Sequence, residues 1–186
     1  MKPDRNETPT ATANFDASLP RLEGFPEPES RVELDVWLAC RRMAILYVEM
    51  ARALTDALGE QRGRDAILAA IHRFGRKCGD LVLEDVKRLG LEPTAENYSK
   101  GMDLPSVGWR AHTETAPDGT PIMAIDFCPY AATFKALGEE RLGRLYCEVD
   151  PAKYSAYNED LTCAHLTNVL DGADCCRLHV RRRGSR

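Results

Sequence analysis

The sequence of 186 residues has no excess of positive charge, because 29 Asp and Glu residues outnumber 25 Lys and Arg residues. Proteins that bind nucleic acid usually carry a basic surface, so we expect no nucleic-acid partner. No apolar run approaches the roughly 18 residues that a membrane span needs, and the polar start lacks the apolar centre of a signal peptide. The composition therefore predicts a cytoplasmic protein with no membrane partner.

Closely spaced pairs of metal ligands are also missing. Structural zinc sites usually take their ligands from C-x₂₋₄-C or H-x₃₋₅-H pairs, and the seven cysteines form no such pair. An odd number of cysteines in a chain without a secretion signal also argues against a disulfide framework. We therefore expect no metal and no cofactor, although a zinc site built from Cys128, Cys147, His165 and Cys176 stays open as an alternative.

Two long helices are predicted after a polar N-terminal stretch. Residues 1–30 are rich in Thr, Pro, Glu and Asp and show no apolar period, which predicts a disordered arm before a single domain over residues 31–186. Apolar residues then recur every three or four positions and predict an amphipathic helix that ends at Gly59 and a second that ends near Gly90. These helices should pack as an antiparallel pair. The stripe of the first helix is Ala39, Met43, Leu46, Met50, Leu54 and Leu58.

Alternating residues in the second half predict two β-hairpins. The first joins residues 107–114 to 122–127, and the second joins residues 161–169 to 175–182. Between them we expect one helix over Tyr130 to Leu142 and a short helix that begins at Asp150-Pro151, since Asp is a good N-cap and Pro suits the first helical position. The predicted fold is α+β, with the helix pair packed on a small antiparallel sheet made of the two hairpins.

Five of the seven cysteines follow residue 127, and two of them are candidate nucleophiles. A reactive thiolate needs a neighbouring base or cation, with a carboxylate to orient that base or to handle protons. Cys147, Asp150 and His165 supply these three residue types. Cys128 is the rival nucleophile, because it precedes a helix whose N-terminal amides would lower a thiol pKa. The alternative is structural: Cys147 fills the core, Asp150 caps a helix and His165 lies on a strand face.

Several short segments, taken together in their order, resemble the L-2-amino-thiazoline-4-carboxylic acid hydrolase family. The resemblance runs from about Val36 to Arg182. It rests on Phe74-Gly75-Arg76-x-x-Gly79, Cys128-Pro129-Tyr130, Leu142-Gly143, Tyr146-Cys147-x-x-Asp150, Tyr157-Asn158, Asn168 and Leu170-x-Gly172-x-Asp174-x-Cys176. It implies a small bacterial α+β hydrolase, whose name-giving member opens a cyclic amidine ring to an N-carbamoyl amino acid.

From this resemblance we expect a hydrolase that acts on a carbon–nitrogen bond of a small cyclic amidine or lactam-like substrate. Cys147 would attack the amidine carbon or position water, Asp150 would pair with the amidinium, and His165 would act as general acid or base. Asn168 would hydrogen-bond the intermediate or the substrate carboxylate, for which Arg76 and Arg110 are further candidates.

Two other kinds of protein stay open as alternatives. One is a non-catalytic small-ligand binding or sensing module of the vinyl-reductase-like 4VR type, and the other is a Cys/His metal protein. The expected partner is a small-molecule substrate, and a homo-oligomer is also possible.

Overall fold

The computed structural model of the protein describes residues 22–117 and 119–184. Helix α1 spans Arg31–Leu58 and helix α2 spans Glu60–Arg88, with Gly59 alone between them. Gly59 has a φ of 80°, a conformation that glycine adopts without steric cost, so the predicted end of the first helix is confirmed. Ala51 and Ile67 are equally far from Gly59 in sequence and lie in one apolar cluster, which makes the two helices antiparallel.

The buried face of α1 differs from the predicted stripe. The apolar side chains that α1 buries are Leu34, Trp37, Cys40, Ala44, Val48 and Ala51. Met43, Leu46 and Met50 of the predicted stripe are instead 50–61% exposed. Small residues on the buried side, Cys40 and Ala44, allow neighbouring elements to approach α1 closely, and hydrophobic periodicity alone does not distinguish that side from the exposed one.

Four antiparallel strands form one sheet in the order β1-β2-β4-β3. Their bounds are Arg110–Thr115 for β1, Pro121–Phe127 for β2, Leu161–Thr167 for β3 and Cys176–Arg182 for β4. Strands β1 and β2 form one hairpin and β3 and β4 the other, and β2 joins β4 in the middle of the sheet. The predicted α+β fold with two hairpins is confirmed.

Three short helices link the hairpins: α3 over Pro129–Ala136, α4 over Glu140–Tyr146 and α5 over Val149–Tyr157. The prediction of one helix from Tyr130 to Leu142 is wrong, because Gly138 takes a φ of 67° and turns the chain between α3 and α4. The expected N-cap at Asp150 is also wrong, since α5 begins at Val149 and its N-cap residue is Glu148. The Asp150 side chain lies in the first helical turn and is free for contacts with other elements.

Two glycines of α2 bring this helix against α5. A Cβ atom added at Gly75 would lie 2.6 Å from the carbonyl oxygen of Val149 and 2.7 Å from the Cβ of Ala152. A Cβ added at Gly79 would overlap the carbonyl oxygen of Lys153. Close helix packing, rather than a pocket floor, therefore explains both glycines, and it fixes the position of α5 over β3.

Most of the predicted arm, residues 1–21, lies outside the described residues. The described part packs on the domain, since the ring of Phe25 lies 5.5 Å from the rings of both Trp37 and Phe127. The packed part of the chain therefore begins before the predicted boundary at residue 31. Within the described residues, the helices are all too short or too polar to cross a membrane.

Candidate functional site

Cys147, Asp150 and His165 meet where α4 and α5 lie over strand β3. Cys147 is the first residue after α4, Asp150 lies in the first turn of α5, and His165 belongs to β3. The Nε2 atom of His165 lies 3.0 Å from the carbonyl oxygen of Cys147 and 3.6 Å from Oδ2 of Asp150. Because a carbonyl oxygen only accepts hydrogen bonds, Nε2 carries the hydrogen. The Nδ1 atom is left as the ring nitrogen available for proton exchange.

Asn168 completes this group, which we call the thiol site: Cys147, Asp150, His165 and Asn168. Asn168 follows β3, and its Oδ1 accepts a hydrogen bond of 2.9 Å from the backbone N–H of Leu170. That bond fixes the orientation of the amide, so that its Nδ2 is the free donor. The Asn168 amide lowers the pKa of the Cys147 thiol and so favours the thiolate. Nδ2 nevertheless has no acceptor in hydrogen-bond geometry among the described residues, neither this sulfur nor another atom.

Two polar atoms of the thiol site are buried without a hydrogen-bond partner among the described residues. They are Nδ1 of His165 and Nδ2 of Asn168. Unsatisfied buried polar atoms are rare in folded proteins, because each costs about 1–3 kcal/mol. The third such atom, Nε of Arg110, lies elsewhere. The thiol site therefore holds one proton-exchanging nitrogen and one N–H donor that are free to meet a ligand.

A row of charged and polar side chains runs from the thiol site through Lys153 of α5 to two residues that precede β1. We call it the ion chain: Asp150, Lys153, Asp103 and Tyr98. The Nζ atom of Lys153 lies 3.2 Å from Oδ1 of Asp150 and 2.7 Å from Oδ2 of Asp103. The hydroxyl of Tyr98 donates to the same Oδ2 atom at 3.1 Å. Burial disfavours the ammonium, but the charges of Asp150 and Asp103 outweigh that penalty and hold the pKa of Lys153 well above its usual value.

The thiol of Cys147 is protonated in this environment. Burial raises its pKa to about 12, and the carboxylate of Asp150 adds to the rise, whereas the Asn168 amide opposes it. Burial also raises the pKa of Cys128 to about 11, although the backbone N–H groups of Ala131 and Tyr130 at the start of α3 lower it. The helix start thus acts on Cys128 in the predicted direction, but desolvation is the larger effect.

Cys128 lies beside the thiol site. It is the N-cap residue of α3, and its thiol interacts electrostatically with both Cys176 and Asp150. The sulfur of Cys176 in turn accepts a hydrogen bond of 3.4 Å from the backbone N–H of Val169. The two candidate nucleophiles therefore lie in one region of the molecule. Their positions in the sequence do not show which of them is the nucleophile.

The structure does not bring Arg76 or Arg110 to the thiol site. Arg110 begins β1 and contacts the carbonyl oxygen of Glu27 at 3.2 Å and the carboxylate of Glu29 at 3.4 Å. Arg76 is exposed on α2 and lines a shallow groove with His72 and Arg183.

Sequence reasoning missed three residues of the ion chain, Tyr98, Asp103 and Lys153. The spacing of Asp150 and Lys153, three residues apart on one helix, is a signal that could have found the lysine. Asp103 lies in an irregular connection, and only its packing shows that it turns inward. In the described part of the chain, no group of three or more His, Cys, Asp and Glu side chains is placed to hold a metal ion.

These features define a small α+β protein with a helix pair over an antiparallel sheet and a site centred on a buried thiol. The chain belongs to the L-2-amino-thiazoline-4-carboxylic acid hydrolase family, whose sequence model matches residues 40–180. The match includes every residue of the thiol site and the ion chain, and the family name is that of a hydrolase. No curated protein matches the sequence.

The fold is also similar to that of a trafficking protein of known structure. This is a trafficking protein particle complex subunit 3 from Naegleria fowleri, in a crystal structure covalently bound to palmitic acid. The TM-score is 0.50 at 16% sequence identity, and the match covers 78% of this chain and 96% of that one. At this identity the likeness concerns the fold alone.

Proposed function

We propose that this protein is a hydrolase that opens the ring of a small cyclic amidine of the 2-amino-thiazoline-carboxylate class, with Cys147 as nucleophile. The observation that carries the proposal is a pair of buried atoms on residues next to Cys147, Nδ1 of His165 and Nδ2 of Asn168, which have no hydrogen-bond partner within residues 22–117 and 119–184. A group that exchanges protons, on a residue that contacts Cys147, and a fixed N–H donor that acts on its thiol are parts that addition to an electrophilic carbon needs.

The charge of the site suits a cationic amidine. With both carboxylates ionised, Asp150, Asp103 and Lys153 leave a net charge of −1 in the ion chain. The ring of Tyr146 stacks on that of Tyr130 with centroids 5.0 Å apart, and Tyr146 lies within electrostatic range of Asp150. Aromatic faces and a carboxylate both attract planar cations. An amidinium is therefore favoured over a neutral or anionic reacting group.

The substrate cation would itself activate the nucleophile. A positive charge next to a thiol lowers its pKa, so a bound amidinium opposes the effects of burial and of Asp150 on Cys147. The thiol proton passes to Nδ1 of His165, either directly or through a water molecule. The sulfur then forms a bond to the amidine carbon, which gives a tetrahedral intermediate that Asn168 Nδ2 can stabilise.

The remaining steps return the enzyme to its starting state. The bond between the former amidine carbon and one ring heteroatom breaks, and His165 gives its proton to that leaving atom. Water then adds to the same carbon, the carbon–sulfur bond to Cys147 breaks, and the sulfur regains a proton. One water molecule is consumed and an open-chain product is released. Asp150 holds the cation throughout, and its contact with Nε2 keeps the imidazole in place.

A substrate carboxylate needs a separate partner in this scheme. Asn168 remains a candidate because its Nδ2 has no acceptor in the part of the chain that the structure describes. Arg76 and Arg110 stay predictions for this role, and each would require the substrate or its own side chain to reach beyond the thiol site.

The test compares the wild-type protein with two variants, Cys147→Ala and Cys128→Ala, in ring opening of 2-amino-thiazoline-4-carboxylate followed by mass spectrometry. We expect Cys147→Ala to lose at least about 10²-fold in kcat/KM, while Cys128→Ala keeps most of the activity. Cys78→Ala, at a half-buried thiol of α2, is the matched control. Loss of activity in Cys128→Ala alone would assign the nucleophile to Cys128. Full activity in both folded variants would overturn the thiol mechanism.

A second candidate function is covalent or tight binding of a ligand without turnover. It is favoured by the shared fold with a protein whose structure contains covalently bound palmitic acid. Intact-mass analysis of the purified protein before and after hydroxylamine treatment tests it. A hydroxylamine-labile adduct on a cysteine would support a carrier or sensor, and an unmodified chain that turns over the amidine would support the enzyme.

A further inference from the structure

The ammonium of Lys153 is buried between two carboxylates, although a single carboxylate would be enough to pair with it. Its side chain is 8% exposed, with Asp103 at 2.7 Å and Asp150 at 3.2 Å from Nζ. One well-placed carboxylate neutralises a buried ammonium. The second leaves a negative charge in a poorly hydrated place, which is unfavourable for folding alone.

Both oxygens of Asp150 face other groups of the chain. Oδ1 is held by Lys153, and Oδ2 faces Nε2 of His165 at 3.6 Å. The position of the Lys153 ammonium is fixed in turn by Asp103, whose Oδ2 also accepts the hydrogen bond from the Tyr98 hydroxyl. The orientation of Asp150 at the thiol site thus depends on a residue that lies 47 positions earlier in the sequence.

Asp103 faces inward from the exposed part of the connection between Tyr98 and β1. Its neighbours Met102 and Leu104 are 74% and 52% exposed, whereas its own side chain is 14% exposed. Gly101 brings the connection onto α2, since a Cβ there would lie 2.7 Å from Cγ1 of Val82. The backbone is placed so that the Asp103 carboxylate reaches Lys153.

We propose that Asp103 is a positioning residue, which acts through Lys153 to set the charge and orientation of Asp150 at the thiol site. This inference rests on the proposed function for its catalytic consequence. Its electrostatic consequence for Cys147 does not depend on any substrate. The connection that carries Asp103 is therefore part of the site, although it does not contact the reacting atoms.

The test uses Asp103→Asn, which keeps the shape of the side chain and removes its charge. The net charge of the ion chain changes from −1 to 0. Alkylation of Cys147 by iodoacetamide at a fixed alkaline pH should then become about threefold to tenfold faster, because the thiolate is less disfavoured. For the amidine substrate, KM should rise by about tenfold with a smaller change in kcat, because the cation is held less strongly.

Asp85→Asn is the matched control. Asp85 also contacts this connection, through a hydrogen bond of 3.1 Å from the backbone N–H of Met102, but it lies outside the ion chain. If Asp103 only anchors the connection, both variants will lower the melting temperature and leave the alkylation rate and KM unchanged, which overturns the inference. Tyr98→Phe, which removes a hydrogen bond and no charge, replaces Asp103→Asn if that variant does not fold, and a smaller shift of KM in the same direction is expected.

The alkylation rate and the kinetics with the amidine substrate together distinguish the positioning role of Asp103 from the proposed function. Faster alkylation of Cys147 in Asp103→Asn, in a protein that turns over no cyclic amidine, supports the positioning role and refutes the proposed function. Turnover by the wild-type protein with unchanged KM and alkylation rate in Asp103→Asn supports the function and refutes the positioning role.

Discussion

The protonation state of Cys147 gives the sharpest prediction, because burial raises its pKa from an ordinary 9.0 to about 12. A rise of three pKa units lowers the thiolate fraction at neutral pH by about a thousandfold. Since the thiolate is the form that reacts with iodoacetamide, we expect alkylation of Cys147 in the folded protein to be about a thousandfold slower than in the chain unfolded by urea. The pKa of Cys128 rises only to about 11, which predicts that its alkylation in the folded protein is about a hundredfold slower than in urea.

Peptide mapping by mass spectrometry measures this rate for each cysteine as a function of pH. Restricted access alone slows alkylation but leaves the rate levelling off near pH 9.0, whereas the raised pKa makes the rate rise about tenfold per pH unit up to about pH 12. Asn168→Ala is the matched variant, and it should slow the reaction of Cys147 further because the amide stabilises the thiolate. Alkylation of Cys147 at neutral pH as fast as in urea would refute the reasoning. It would show a thiolate formed before substrate binds.

The remaining predictions concern stability and use urea denaturation. The pKa of Cys147 is higher in the folded state than in the unfolded state. The contribution of its protonated thiol to the free energy of unfolding is therefore complete below pH 9.0 and is lost as the pH rises towards about 12. At about pH 10 the wild-type protein should therefore have lost about 1.4 kcal/mol more than Cys147→Ser, and equal losses would contradict the raised pKa. Gly79→Ala should lower the free energy of unfolding by about 1–2 kcal/mol, since the clash with the Lys153 carbonyl outweighs the gain of about 1 kcal/mol in helix propensity. A stabilised variant would refute the close contact. Trp37→Phe removes the hydrogen bond of 2.9 Å from Nε1 to the carbonyl oxygen of Gly108. It should cost about 1–3 kcal/mol, and an unchanged midpoint would show that this carbonyl finds another partner.

Helix periodicity identified the helices of this protein better than it identified their buried faces. The apolar stripe through Met43, Leu46 and Met50 is real, but α1 buries Trp37 and Ala44 instead. Both sides of the helix carry enough apolar residues to look amphipathic. The choice between them depends on which side meets the sheet and α3, and that is a property of the tertiary fold.

Short-range signals also missed how the chain turns between hairpins. Gly138 splits the predicted helix because its positive φ ends α3. The position of Asp150 before Pro151 predicts a helix cap, yet α5 starts at Val149 and the carboxylate pairs with Lys153. Helix boundaries are decided by one or two residues, and Asp150 instead pairs with Lys153 one turn along the same helix and faces His165 of β3.

The sequence by itself determined the α+β class, the helix pair with its turn at Gly59, the two hairpins and the family, since these depend on periodicity, turn residues and ordered short segments. It also supplied the residues of the thiol site. Only the tertiary structure decided that burial raises the pKa of the Cys147 thiol, that Asn168 and His165 each keep a polar atom unpaired among the described residues, and that Asp103 reaches Lys153. The physical reason is that burial and electrostatic interaction depend on distances between elements far apart in the chain.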